Sequence, residues 1–176
     1  MATIASAQTF LYTHNRIHTG QDANSNNTFT YRSIVSSANM VTLHNTANTR
    51  VNVNPTFRDG SPLTERIMRG QEQLIERDSW TQNRAQSVIN NAFTHAERQR
   101  LSQRDALLTT SMIIDTTTGR VVEVEFRFLT NSEFATFPVS VFRHIELELK
   151  RLLYFTPTET GRQLNFVRRT WTQTPV

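Results

Sequence analysis

Between residues 107 and 129 apolar and polar positions alternate with a period of two, the spacing that puts every second side chain on one face of a strand. Val122, Val124, Phe126 and Phe128 fall on one side, and Glu123, Glu125 and Arg127 on the other. Two strands, Leu107 to Asp115 and Val121 to Leu129, are therefore predicted. The tight turn between them contains Gly119, the residue type that best tolerates positive φ. The period then changes to a helical one through Val141, Phe142, Ile145, Leu149, Leu152 and Leu153, with Pro138 suited to the helix start. Glu146 and Lys150 stand four apart in the favourable order, outside that stripe. "TPTETG" reads as a turn, and a last strand alternates through Leu164, Phe166 and Arg168. The order β-β-α-β implies a small antiparallel sheet with a helix packed on one face.

Upstream the pattern is less regular. "TFLYTH" (Thr9 to His14) and "TFTYRSIV" (Thr28 to Val35) have the aromatic and β-branched content of strands, with the loop "QDANSNN" between them. "NMVTLHNTANTRVNV" (Asn39 to Val53) alternates in two arms, Val41 and Leu43 on one and Val51 and Val53 on the other. From Pro62 to about Arg104 the spacing is helical, with one stripe through Leu63, Ile67, Leu74 and Ile75 and another through Trp80, Val88, Ile89 and Phe93. Ser61 and Ser79 are expected to cap these helices. The stretch after His95, with Leu101 as its single apolar anchor, reads as an exposed helix end or a linker. The expected organisation is an α+β protein: residues 1–8 as a signal-peptide remnant, 9–60 strand-rich, 61–105 helical, and 106–176 as the β-β-α-β unit.

Composition adds limits. The 176 residues are 37% hydrophobic and include 11 Phe, enough for a core in one domain. The formal charge is +4, and Lys150 is the only lysine, so the positive charge is almost all arginine. Arginine pairs well with carboxylates and phosphates, but a charge this small over this length is first of all a solvated surface. The absence of cysteine excludes disulfides and Cys-ligated zinc. Ala5-Ser6-Ala7 before Gln8 has the small-residue pattern of a signal-peptide cleavage site, which points to a periplasmic or secreted bacterial protein. No apolar run reaches the length of a membrane span.

Residues 108–172, with Gly119-Arg120-Val121 at the first turn, Phe155-Thr156-Pro157 after the helix and Gly161 before the last strand, resemble the C-terminal domain of TonB-type energy transducers. The resemblance extends more weakly to "NPTFRDGSPLTERIM", which is similar to the lead-in of that domain. Phe155 stands where the family commonly has Trp, and there is neither an anchor nor a Pro-rich spacer of the transducer kind. The match is thus to secreted or periplasmic proteins of Bacteroidota that carry the fold without the transducer apparatus. It implies a binding mode in which a peptide or protein segment from the cell envelope adds as a strand to the edge of the sheet. On this chain that edge would be Gln163 to Thr172, with Asn165, Arg168, Arg169 and Trp171 making the side-chain contacts. The competing expectation is that upstream strands of the same chain cover that edge.

No catalytic or cofactor motif is present: there is no nucleophile elbow, phosphate loop or dinucleotide fingerprint. His14 and His18 are four apart, a metal-binding spacing on a helix, but their segment reads as strand and loop. His144 beside the helix stripe fits a partly buried, hydrogen-bonded histidine. Glu123 and Glu125, flanked by Arg120 and Arg127, fit ion pairs better than an acid–base pair. The expectation is a non-enzymatic interaction protein with neither cofactor nor metal. Two alternatives stand beside it: nucleic-acid binding through Arg98, Arg100, Arg104, Arg168 and Arg169 with Trp171 and Phe166, and an enzyme with an unrecognised site.

Overall fold

The computed structural model describes residues 9–22, 25 and 27–176, so the expectation for residues 1–8 lies outside the described residues. Six strands form one antiparallel sheet: β1 (Arg16–Gln21), β2 (Thr28–Val35), β3 (Met40–Asn45), β4 (Leu108–Ile114), β5 (Val121–Leu129) and β6 (Val167–Gln173). Their spatial order is β1-β2-β3-β5-β4-β6. The helices are α1 (Glu65–Met68), α2 (Thr81–Asn91), α3 (His95–Gln103), α4 (Val139–Leu152) and α5 (Glu159–Arg162), with a 3-10 turn at Glu133–Thr136. The protein is thus of mixed α+β class, and the predicted β-β-α-β order is present as β4, β5, α4 and β6.

The alternating residues of β5 set the layers. Val124, Phe126 and Phe128 are buried, and the ring of Phe142 on α4 packs against Phe126 and Phe128 at 5.3 Å from each. Tyr12 closes the cluster edge-on, 5.5 Å from Phe128 and 6.0 Å from Phe142. One core joins these rings to Val41 and Leu43 of β3, Val88 and Ile89 of α2, and Leu101 of α3. At the β4–β5 turn Gly119 has φ +71, and a Cβ there would lie 2.0 Å from the Phe155 carbonyl oxygen. The Phe155 amide donates to the Gly119 carbonyl at 2.8 Å. This glycine therefore serves both the turn and the close passage of the segment after α4.

Several local expectations change in the structure. Thr9 to His14 is not a strand; the segment is held by the Leu11 amide on the Ala135 carbonyl and by the Tyr12 hydroxyl on the Phe137 carbonyl. The expected hairpin after β3 does not form, because β5 takes the free side of β3. Residues 46–53 instead turn over the other face of the sheet, where the Glu123 carboxylate accepts from the Thr49 and Arg50 amides. Helix capping falls on Thr64 and Asp78 where Ser61 and Ser79 were expected: Thr64 accepts from the Ile67 amide and Asp78 from the Trp80 and Thr81 amides. The segment after His95 is a true helix, started by a reciprocal Thr94–Glu97 capping box and anchored by the fully buried Leu101. The last strand begins at Val167, after α5 and an irregular stretch, so its phase is shifted. Val167, Arg169 and Trp171 oppose Ile114, Met112 and Thr110 on the helix-covered side, whereas Arg168 turns to the other.

Candidate functional site

The predicted edge is an edge. β6 is the last strand of the sheet, and β4 is its one strand neighbour. The N-terminal strands join at the opposite side, through β3 on β5. The four expected contact residues have different surroundings. Asn165 lies before β6 and is tied to the loop at Thr56: its Oδ1 accepts from the Thr56 amide at 3.0 Å, and its Nδ2 donates to the Thr56 hydroxyl at 3.1 Å. Arg168 donates through Nη2 to the Arg50 and Val53 carbonyls at 2.9 and 3.1 Å. Arg169 is exposed, and its positive charge acts on Asp78. Trp171 is half-buried against the core, and its indole N–H has no partner among the described residues. The open stretch is therefore Arg169 to Thr172, with Thr170 and Thr172 on the face away from the helices. There Thr170 meets Ser111 at 2.9 Å and Thr172 meets Thr109 at 2.8 Å, hydroxyl to hydroxyl.

A second site, unexpected from the sequence, lies where α4 crosses the ends of β2 and β3. Arg143, Glu146 and Lys150 are three and four apart, which stacks them on one stripe of the helix. Glu146 is fully buried. Its carboxylate accepts from the Tyr31 hydroxyl, from Asn45 Nδ2 at 3.3 Å and from Arg143 Nη1 at 3.3 Å on one oxygen, and from Lys150 on the other. Arg143 also forms a fork with Asp22, at 3.1 and 3.2 Å, and its guanidinium lies 5.4 Å from the Phe29 ring centroid. Burial, then the negative charge of Glu146, raises the Tyr31 hydroxyl pKa well above its ordinary value. Arg143 is pushed up as well, first by its hydrogen bonds to Asp22. Tyr31 thus enters the network as a neutral phenol and Arg143 as a cation, and each polar group there is answered by another.

In front of this network opens a cleft of about 450 Å³, lined among others by Thr28, Asn45, Asn48, Val122, Arg143 and Lys150. A much smaller hollow of about 10 Å³ lies on the face away from the helices, beside Ser111, Glu123 and Glu125. It has room for about one water molecule. The glutamates there are paired, Glu125 with Arg127 at 2.7 Å and Glu123 with Arg50 at 3.7 Å. Pairing was expected for both, but Arg50 stands where Arg120 was anticipated for Glu123.

The arginines considered for nucleic acid are largely engaged within the chain. Arg98 donates to the Asn90 and Phe93 carbonyls, and Arg100 and Arg104 both reach the fully buried Glu133, at 3.1 and 3.2 Å. His14 is exposed, while His18 Nε2 lies 3.0 Å from the Ser33 hydroxyl. No group of three or more His, Asp or Glu residues among the described residues could hold a metal ion. No helix among them is long and apolar enough to cross a membrane.

Fold and sites together define the class: an α+β protein whose described strands form one six-stranded antiparallel sheet, with α4 packed against one face and a strand edge at β6. The chain belongs to the DUF5043 family, described as a domain of unknown function, whose model matches residues 8–171. It is similar to the crystal structure of a DUF5043 family protein from Bacteroides uniformis, with 28% sequence identity and a TM-score of 0.80. That match covers 96% of this chain and 89% of the other. No curated protein matches the chain.

Proposed function

We propose that this protein is an exported or periplasmic interaction protein that acts by binding rather than catalysis, and that it takes a peptide or protein segment as an added strand at β6. The single observation that carries this reading is the position of β6, a seven-residue strand at the end of the sheet whose middle residues are exposed. An incoming strand would gain main-chain hydrogen bonds along β6. Its side chains would alternate between Arg169 and Trp171 on one face and Thr170 and Thr172 on the other. The β4–β5–α4–β6 unit is proposed to work here as the TonB-type C-terminal unit does, a reading supported by its element order and by the Gly119 turn. Export is supported by Ala5-Ser6-Ala7. Arginines flanking an edge also discourage unwanted pairing, so the edge would select its partner.

The test is a pull-down from a bacterial envelope extract with the wild-type chain and an Arg169→Glu/Thr172→Glu variant, combined with hydrogen exchange. An envelope protein recovered by wild type alone, with exchange slowed in residues 167–173, is the expected result. Equal recovery by both baits, or recovery of nucleic acid only, would sink the idea.

A further inference from the structure

We propose that the cleft before Glu146 is a second, independent binding site, for a neutral polyhydroxylated molecule of the sugar class. Its volume, about 450 Å³, falls within the range of small-molecule sites. The network behind it fixes the cleft wall. Glu146, wholly enclosed, holds Lys150, Arg143, Asn45 and Tyr31 in place from four directions. Such a supporting shell is what gives a binding surface one defined geometry.

The groups facing the cleft decide the ligand class. Among the described residues Lys150 has one acceptor, Glu146, which leaves two of its three N–H groups for a ligand. Asn48 uses its Nδ2 on the Val124 carbonyl at 2.9 Å, and its Oδ1 remains as an acceptor. The Thr28 hydroxyl, exposed at the start of β2, can donate and accept. Donors and acceptors from α4, β2 and the loop after β3 thus line one cleft, and a ligand hydroxyl group can answer both kinds. Val122 and Ala47 add an apolar strip for the C–H face of a ring.

Charge excludes the main rival. The charged side chains that line the cleft are Arg143, Lys150 and Glu123; Asp22 and Glu146 answer the two cations from behind, and Arg50 pairs with Glu123. An anionic ligand would find both cations already answered and would meet Glu146 behind Lys150. A neutral ligand loses nothing by that balance.

The experiment is a titration of the 15N-labelled chain, followed by amide shifts, with glucose, galactose, N-acetylglucosamine and lactose, and with glucuronate and inorganic phosphate as charged probes. Saturable shifts in residues 28–30 and 45–48 for at least one neutral sugar are expected. Affinity should fall about tenfold or more in Lys150→Met, the loss of one charge-assisted hydrogen bond. Thr28→Val, at an exposed position that leaves the fold intact, should weaken it several-fold. No saturable shift with any neutral sugar, shifts with glucuronate or phosphate alone, or unchanged affinity in both variants overturns the proposal. Sugar shifts confined to β6 would overturn it too, and would leave the strand-addition reading untouched.

Discussion

Helix α4 presents two stripes to the rest of the molecule, and they obey opposite economies. Phe142, Ile145 and Leu149 are fully buried against the sheet and its aromatic cluster, and each such side chain adds about 1.5–3 kcal/mol by leaving water. One residue around the helix, Glu146 is just as buried, yet enclosing a carboxylate is unfavourable unless its partners nearly complete its solvation. An apolar layer of equal volume would hold the helix as well. The first stripe is therefore what the fold needs. The second is a polar arrangement that the fold tolerates, and its Arg143 and Lys150, the chain's one lysine, line the cleft of about 450 Å³.

Substitutions should separate the two stripes. Phe142→Ala removes a ring stacked on Phe128, tilted on Phe126 and edge-on to Tyr12, so chemical denaturation should show a loss of about 3–5 kcal/mol. Glu146→Gln keeps the shape but removes the charge that answers Lys150, and about 1–3 kcal/mol should be lost. Restoring apolar complementarity with Tyr31→Phe, Glu146→Leu and Lys150→Met together should recover most of that loss. If the triple variant is less stable than Glu146→Gln, the polar stripe is structural after all. Gly20→Val comes third. A Cβ at Gly20 would lie 2.4 Å from the Phe29 ring, and displacing that ring should cost about 1–3 kcal/mol. Because Phe29 carries Arg143, cleft binding should weaken along with stability.

The aromatic stripe was legible in the sequence, and the polar one was not. Val124, Phe126 and Phe128 declared a buried face by their period of two, and Phe142, Ile145 and Leu149 by a helical period. Glu146 and Lys150 gave the opposite message, since a Glu and a Lys four apart outside an apolar stripe read as a surface pair. What buries Glu146 is Tyr31 and Asn45, more than a hundred residues away in the chain. No local pattern carries that information. The same holds for the β3–β5 pairing, which turned the expected Val51–Val53 strand into a loop over Glu123. The last strand was found where expected, but its phase was wrong, because α5 and the Asn165 tie to Thr56 interrupt the alternation before Val167. His14 falls in a bend and His18 on β1, and nothing nearby in the sequence announced the partners of His18.

Those partners give the smallest effect and one that belongs to the aromatic region alone. The His18 ring lies 4.7 Å from Tyr12, and its Nε2 is 3.0 Å from the Ser33 hydroxyl. Burial lowers its pKa below the ordinary 6.5, and the positive charge of Arg16 acts in the same direction. The folded protein therefore binds this proton less readily than the unfolded chain does. The His18 contribution to stability is fully present above a pH of about 6.5 and is lost as pH falls from there through the lower folded-state value. Its partial exposure keeps the effect below those of the three substitutions. Asp115, whose carboxylate is held low first by the Thr118 amide and hydroxyl, joins in only at a pH near or below about 4. Thermal melts should thus show a shallow decline between about pH 7 and pH 5, then a steeper acid limb. His18→Gln should flatten the shallow part and leave the acid limb in place. A decline that survives in His18→Gln would mean that some other group, not the aromatic packing around Tyr12, sets the response near neutrality.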